Sequence, residues 1–360
     1  MIPLRLWVDE KWRRKYTHIP LLFPLWGIVT SEKAPFQKRL FERYRFDQSL
    51  YALAGSTEDA DVFLLPYRFN VLREKDPDLV REVARAAYDA KKPVLIDGTG
   101  DIEYPTDIPH AITLRSGGYR FLRESNDIQQ PLYADDLLET LCAGNLQIRR
   151  KSAKARVGFA GWATLEPLAT AKTILKELPD RLHSVFDSRY RACKKGIFFR
   201  REALAVLRRS SLVEPNFIQR ASYSAHTATA SDDPAILQEA FVQNLLESDY
   251  GLDVRGDANA SARLFEILSL GRIPVIVDTE RNFPFDDELD YSRFSLIVDF
   301  RDIKQLPRRI AAFHDSLSNE KFEAMQRAAR DAYRNYFRVD AMTKHVVKRI
   351  FDRMHDVRFS

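Results

Sequence analysis

Short apolar runs alternate along most of the chain with stretches in which apolar residues return every third or fourth position. The runs read as buried strands and the periodic stretches as helices with one apolar face. Their alternation predicts parallel sheets covered by helices, an α/β protein. Residues 4–8 and 62–65 are candidate strands. The signals are most complete around residues 76–92. Asp76 is an N-cap, Pro77 takes the first helical position, and Leu79, Val83, Ala86, Ala87 and Ala90 line one face. Lys91 and Lys92 suit the end of that helix, Pro93 stops it, and residues 94–96 form a short strand ending at Asp97-Gly98.

From Gln147 to Arg156 the chain turns polar and basic before a new apolar strand opens at Val157-Gly-Phe159. A linker is expected there. It divides the chain into a domain over 1–150, a domain over 151–338, and a segment over 339–360 whose amphipathic part, about 340–354, is expected to pack back on the first domain. The second half repeats the alternation, with helices over 166–178 and 234–247 and then strand, helix and strand through Val277. Two similar halves suit 360 residues, too many for one ordinary domain.

With 45% hydrophobic and 30% charged residues the chain has the composition of a folded globular protein. A formal charge of +5 attracts phosphates but falls short of the basic coat of a nucleic-acid binder, so nucleic acid is not an expected partner. Cys142 and Cys193 lack zinc-type spacing, which points to a reducing compartment. The early apolar run over 19–29 contains Pro20 and Pro24 and is too short to span a bilayer, and no signal peptide opens the chain. A cytoplasmic location is expected.

Residues 248–300 carry the most chemistry. Residues 250–254 read as a strand ending in Arg255-Gly256-Asp257. Asn259 or Ser261 can cap a helix over 262–270 that Gly271 terminates. In open α/β sheets ligands bind outside the carboxyl ends of the strands, and a helix start offers N–H groups and partial positive charge to a pyrophosphate. Gly256 would let backbone come close to it. Arg263 and Glu266 share a helical face, while Leu264, Ile267 and Leu268 take the buried one. An arginine there can neutralise a departing nucleoside diphosphate, and a carboxylate can accept hydrogen bonds from ribose hydroxyls. The same pair also reads as an exposed ion pair that stabilises its helix by about 0.2–0.5 kcal/mol. Arg220, after the strand-like Asn216-Phe-Ile, is a further cation for the diphosphate or a surface residue.

This segment resembles the exostosin-like glycosyltransferases, family 47 of that enzyme class. Ser261-Ala-Arg263-Leu-Phe-Glu266, Gly271-Arg-Ile273-Pro274-Val-Ile276, Pro284-Phe285 and Phe294-Ser295 stand in the family's order at plausible spacing. Upstream, Asp61-Val-Phe-Leu-Leu-Pro66 and Gly158-Phe-Ala-Gly161 are similar to its first-domain strand and to the strand opening its second domain. The likeness is strong over about 240–335 and thin elsewhere. Ile267 and Arg272 depart from it, standing where the family has a small residue and commonly a cysteine. The resemblance implies a glycosyltransferase-B fold, two Rossmann-like doubly wound domains facing a cleft. It also implies metal-independent inversion at the anomeric carbon without a cofactor, and a nucleotide-diphosphate sugar held mainly by the second domain. The implied acceptor is a glycan or glycolipid, in cell-surface polysaccharide synthesis.

Inversion needs a base for the acceptor hydroxyl. Asp9, Glu10 and His18 after the first strand, and Asp97 or Asp101 after a later one, are the candidates. His18, beside an apolar run, also reads as a packed core histidine. Asp59-Ala60-Asp61 has the form of a metal-binding pair but precedes its strand, which suits capping and solvation. Basic clusters at 11–15, 149–156 and 191–201 read as solvated faces or as contacts to an anionic membrane surface. Two rivals stay open: a nucleotide-sugar epimerase, and a non-catalytic glycan-binding or scaffolding module on the same fold.

Overall fold

Backbone buried in a core must pair all its N–H and C=O groups, and apolar runs separated by amphipathic helices achieve this as parallel strands. The computed structural model describes residues 3–29, 35–164, 167–220 and 234–357. It forms two units: the first holds residues 1–133, 282–285 and 335–360, and the second holds 134–281 and 286–334.

The first unit contains β1 (Leu4–Trp7), β2 (Tyr51–Leu53), β3 (Val62–Leu64), β4 (Val94–Asp97), β5 (Ala111–Arg115) and β6 (Asp127–Gln129). They lie in the order β2-β1-β3-β4-β5-β6, every neighbouring pair parallel. The helix Pro77–Asp89 starts as expected, with the Asp76 carboxylate accepting from Leu79 N at 3.2 Å. It buries Leu79, Val83 and Ala87 in a core with Trp12, Phe63 and Ile96. The helix Val339–Met354 packs on β5 and β6. β2, β5 and β6 escaped the sequence reading. β2 is a three-residue edge strand with only Tyr51 buried, and β5 and β6 carry a buried ion pair, Arg115 to Asp127 at 3.0 Å, where an apolar run would be sought.

The second unit contains β7 (Arg156–Trp162), β8 (Glu214–Arg220), β9 (Tyr250–Asp253), β10 (Ile273–Asp278) and β11 (Leu296–Asp299), in the order β11-β10-β9-β7-β8, again all parallel. In both sheets the second strand lies outside the first and the third lies on its other side. Each unit is therefore a doubly wound α/β sheet whose strand order reverses between its first and third strands.

The expected linker is not one. The chain enters the second unit at Ala134, and residues 147–156 form a strap tied to that unit. Asp249, fully buried, gathers Arg149 Nε at 2.8 Å, Ser152 Oγ at 3.0 Å and the Arg156 amide at 2.9 Å, while Lys151 Nζ donates to the Leu317 carbonyl at 2.7 Å. The basic run is thus a set of donors for one buried carboxylate and one helix end. Arg272, also fully buried, donates to the Gln147 carbonyl and to Gln326 Oε1, each at 2.9 Å, and burial brings its pKa down to about 10.

A buried carboxylate that loses its cation, or a buried cation that loses its carboxylate, typically costs about 3–5 kcal/mol. Asp249→Ala should lower the stability of the second unit by about 3 kcal/mol in urea unfolding. Glu214→Ala, which removes a partly exposed partner of Arg156 at 3.5 Å, should change it by under about 1 kcal/mol.

Candidate functional site

Where β7 and β9 sit side by side, the connections leaving their carboxyl ends run to opposite faces of the sheet, and the last carbonyls of both strands need donors from elsewhere. Two arginines supply them. Arg263, in the first turn of the helix Ala262–Ser269 that follows β9, reaches back so that Nη2 donates to the Ala160 carbonyl of β7 at 2.9 Å. Its guanidinium lies 4.4 Å from the ring centroid of Phe159 and 6.0 Å from that of Phe241. Arg200, in the helix Gly196–Arg209, donates from Nε to the Val254 carbonyl at 3.1 Å and from Nη1 to the Trp162 carbonyl at 3.3 Å. Two guanidinium charges are thus fixed at the reversal of the strand order.

Glu266, one turn beyond Arg263, is half-buried. Burial raises its pKa, opposed by the charge of Arg263 and reinforced by the carboxylates of Asp135 and Asp253. Asp253 itself is fully buried and paired with Arg281 at 2.6 Å, which joins the carboxyl ends of β9 and β10. Ser261 occupies the N-cap position, as expected, but its hydroxyl makes no capping bond. Asn259 is no cap. Its Nδ2 donates to the Thr279 and Glu280 carbonyls at 3.1 and 3.2 Å, and its Oδ1 accepts from the Thr279 hydroxyl at 2.7 Å, so it staples the turn after β9 to the turn after β10.

The close approach assigned to Gly256 belongs instead to Gly196. A Cβ on Gly256 would make only an ordinary contact, 3.5 Å from Arg200 Nη2, whereas a Cβ on Gly196 would overlap the carbonyl oxygens of Arg255 and Gly256. Bare backbone at Gly196 lets the start of its helix press against the turn after β9. Arg255 fixes that turn from below, fully buried and donating to the Ala192 and Lys194 carbonyls. Lys195 closes the group, pairing with Asp257 at 3.4 Å and lying 5.9 Å from the Trp162 ring. Arg220 stands beside Trp162 at the end of β8, its Nη2 on the Leu237 carbonyl at 2.6 Å. From sequence Arg200 falls in the basic cluster 191–201, expected as a solvated face or a contact to an anionic membrane surface. Its signal was its position four residues after Gly196, on the apolar face with Ile197, Phe199, Ala203, Leu204 and Leu207.

The departures at 267 and 272 lie beneath the site. Ile267 is fully buried against Gly251 of β9, where a Cβ would stand 2.8 Å from its Cδ1, so one glycine makes the room that the larger side chain takes. Arg272 holds the strap.

In the first unit, Asp9 caps a short 3-10 turn through the Lys11 amide at 3.0 Å and pairs with Lys11 Nζ at 3.5 Å, and Glu10 pairs with Arg13. His18 is packed: its Nε2 lies 2.8 Å from the Gly27 carbonyl, Phe23 and Trp26 stand edge-on to the ring, and burial lowers its pKa. Asp97 closes a turn through the Thr99 amide and hydroxyl, and Asp101 is exposed. Asp61 caps no helix: it accepts from the Arg5 amide of β1 at 2.8 Å and pairs with the Arg5 guanidinium at 3.2 Å. Glu103, on the loop after β4, carries no motif that would single it out in the sequence. Half-buried, it accepts from the Ser116 and Gly117 amides at 3.0 and 2.7 Å, yet burial outweighs those bonds and raises its pKa.

The family model described as the Exostosin GT47 domain matches residues 185–313, which include Arg200, Arg263 and Glu266. The chain is 28% identical over 111 residues to the Exostosin-1 homolog of Caenorhabditis elegans, a match covering 31% of this chain and 28% of that protein. It is 28% identical over 155 residues to Exostosin-2 of Bos taurus, covering 43% of this chain and 20% of that one. The chain thus spans between a fifth and a third of the length of these relatives. Among solved structures, a glycosyltransferase from Rickettsia africae ESF-5 aligns over 92% of this chain and 85% of its own, with a TM-score of 0.36 and 10% identity. TarM aligns over 72% of this chain and 54% of its own, with a TM-score of 0.31 and 9% identity. On the sequence matches the chain is similar to the exostosins, and its residues 185–313 match the model of the Exostosin GT47 domain.

Proposed function

We propose that the chain transfers a sugar, with inversion, from a nucleotide-diphosphate donor to a glycan or glycolipid acceptor, in the cytoplasm and in the service of cell-surface polysaccharide synthesis. One observation carries this reading: Arg200 and Arg263 are fixed at the strand-order reversal of the family-matched unit, beside a helix start whose N-cap hydroxyl makes no capping bond. A departing nucleoside diphosphate needs positive charge held in place before it leaves, and guanidinium groups already anchored to strand carbonyls reorganise little as that charge develops. Glu266, on the same helix face, accepts from the donor's ribose hydroxyls. These charges do the work that a divalent cation does elsewhere, so no metal is required. In the first unit Glu103 joins Asp9 and His18 as a candidate base, because it is half-buried, accepts from two amides and still has its pKa raised by burial.

Arg263→Ala and Glu266→Ala should each weaken donor binding at least tenfold, about 1.4 kcal/mol, in calorimetry with a panel of nucleotide sugars. Unchanged affinity would refute the site. Chelation with EDTA should leave turnover unaltered; a loss restored by a divalent cation would remove the charge role from the arginines. Glu103→Gln should reduce kcat by at least a hundredfold and leave nucleotide affinity as it was, whereas equal turnover would return the search for the base to Asp9 and His18.

Glu266 also has a signed pH dependence. Its folded pKa is raised, so the folded state holds its proton more tightly than the unfolded chain does. The stability this gives is fully present below the ordinary carboxylate range and is lost as pH rises through the raised value. Glu266→Gln should therefore melt higher than wild type at pH 7, with the difference vanishing near pH 4.

A further inference from the structure

Between β7 and the helix Gly196–Arg209 the second unit carries two short helices, Pro167–Lys176 and Leu178–Phe186. Leu178, Leu182, Val185 and Phe186 recur at the spacing of one helix face, a pattern that normally faces a core. Here it faces outward. Phe186 is 91% exposed, Val185 76% and Leu182 60%, and Ile174 and Leu175 of the preceding helix are exposed beside them in sequence. Single exposed apolar residues are ordinary, but a run of six large ones is a surface built to be covered.

The charges around this face choose its cover. Glu177 is committed within the unit, accepting from the Lys195 amide at 2.6 Å and from Arg181 at 2.9 Å, and Asp187 is committed to Arg189 at 2.7 Å. Asp180 sits half-buried in the first turn of the second helix. Lys172, Lys176 and Arg191 are exposed and have no acidic partner among the described residues. An apolar face edged by cations is the pattern of a helix that lies in the interface of an anionic bilayer. A second copy would set these cations against their own kind. Of the basic clusters nominated from sequence, Arg149 is spent on Asp249 and Arg200 on strand carbonyls, whereas Arg191 stands exposed at this face.

We infer that residues 170–191 form a membrane-docking surface whose partner is an anionic lipid bilayer, entered by Leu175, Leu178, Leu182, Val185 and Phe186. The surface is continuous with the candidate site through Glu177, which holds Lys195, which in turn pairs with Asp257. Docking there favours a glycolipid over a soluble glycan as acceptor, a choice that rests on the transferase reading, whereas the docking surface itself does not.

Flotation of the full chain with phosphatidylcholine vesicles, with and without one-third phosphatidylglycerol, tests this. Wild type should float with the anionic vesicles at least tenfold more than with the neutral ones. Leu182→Ser/Val185→Ser/Phe186→Ser should lose at least tenfold of that binding, and Lys172→Glu/Lys176→Glu should lose the preference for anionic lipid. Both variants should keep the wild-type melting temperature and nucleotide affinity, because every changed side chain is exposed. Absence of flotation by wild type, or equal flotation by the triple variant, would overturn the inference. So would a dimer in sedimentation velocity that the triple substitution dissolves, which would give the face to a second copy. Nucleotide affinity is measured separately, so failure of the donor reading would leave the flotation result standing.

Discussion

The second unit is organised around a deficit of hydrogen-bond donors. Where β7 and β9 adjoin, the connecting segments depart to opposite faces and the carbonyls of Ala160, Trp162 and Val254 would otherwise end in partly buried space. Arginine side chains are suited to this position because a planar guanidinium can serve carbonyls on two strands and still present a charged edge. Arg200 ties Trp162 to Val254, and Arg263 ties its own helix to Ala160. Holding the strands together and displaying positive charge are therefore one arrangement. A ligand bringing negative charge to this place would meet groups whose orientation is already set by the sheet.

That coupling explains which parts of the molecule were legible in the sequence. Helices with complete signals, such as Pro77–Asp89, and strands with continuous apolar runs, such as β4, β9 and β10, could be read because their determinants are local. Arg263 and Glu266 could be paired on one face from their spacing alone. The roles of Arg200 and Gly196 could not, because each is defined by a partner distant in sequence: Val254 for the arginine, and the carbonyls of Arg255 and Gly256 for the glycine. Asn259 failed for the same reason, since its partners lie on the turn after the next strand.

Charged residues are the hardest to place from sequence, because their partners lie far along the chain. A basic run such as 147–156 looks like a solvated linker when its partners are out of sight. Asp249, fully buried ahead of β9, turns that run into a strap fixed against the unit. Arg272 extends it, so the residue that departs from the family pattern has its partners in the Gln147 carbonyl and Gln326. The converse error left the apolar face at 178–186 unremarked, because helical periodicity reports that one face differs from the other and not which of them meets water.

These two observations meet at Lys195. Its amide is held by Glu177, its ammonium by Asp257, and the next residue is the glycine that lets the helix start press on the turn after β9. The segment that follows the two short exposed helices is therefore joined to the turn between β9 and its helix at Lys195, by a hydrogen bond on one side and an ion pair on the other, and again through Arg255 on the Ala192 and Lys194 carbonyls. The apolar face and the turn before Arg263 are thus linked by a short series of bonds, from Glu177 to Lys195 to Asp257, with Arg255 alongside.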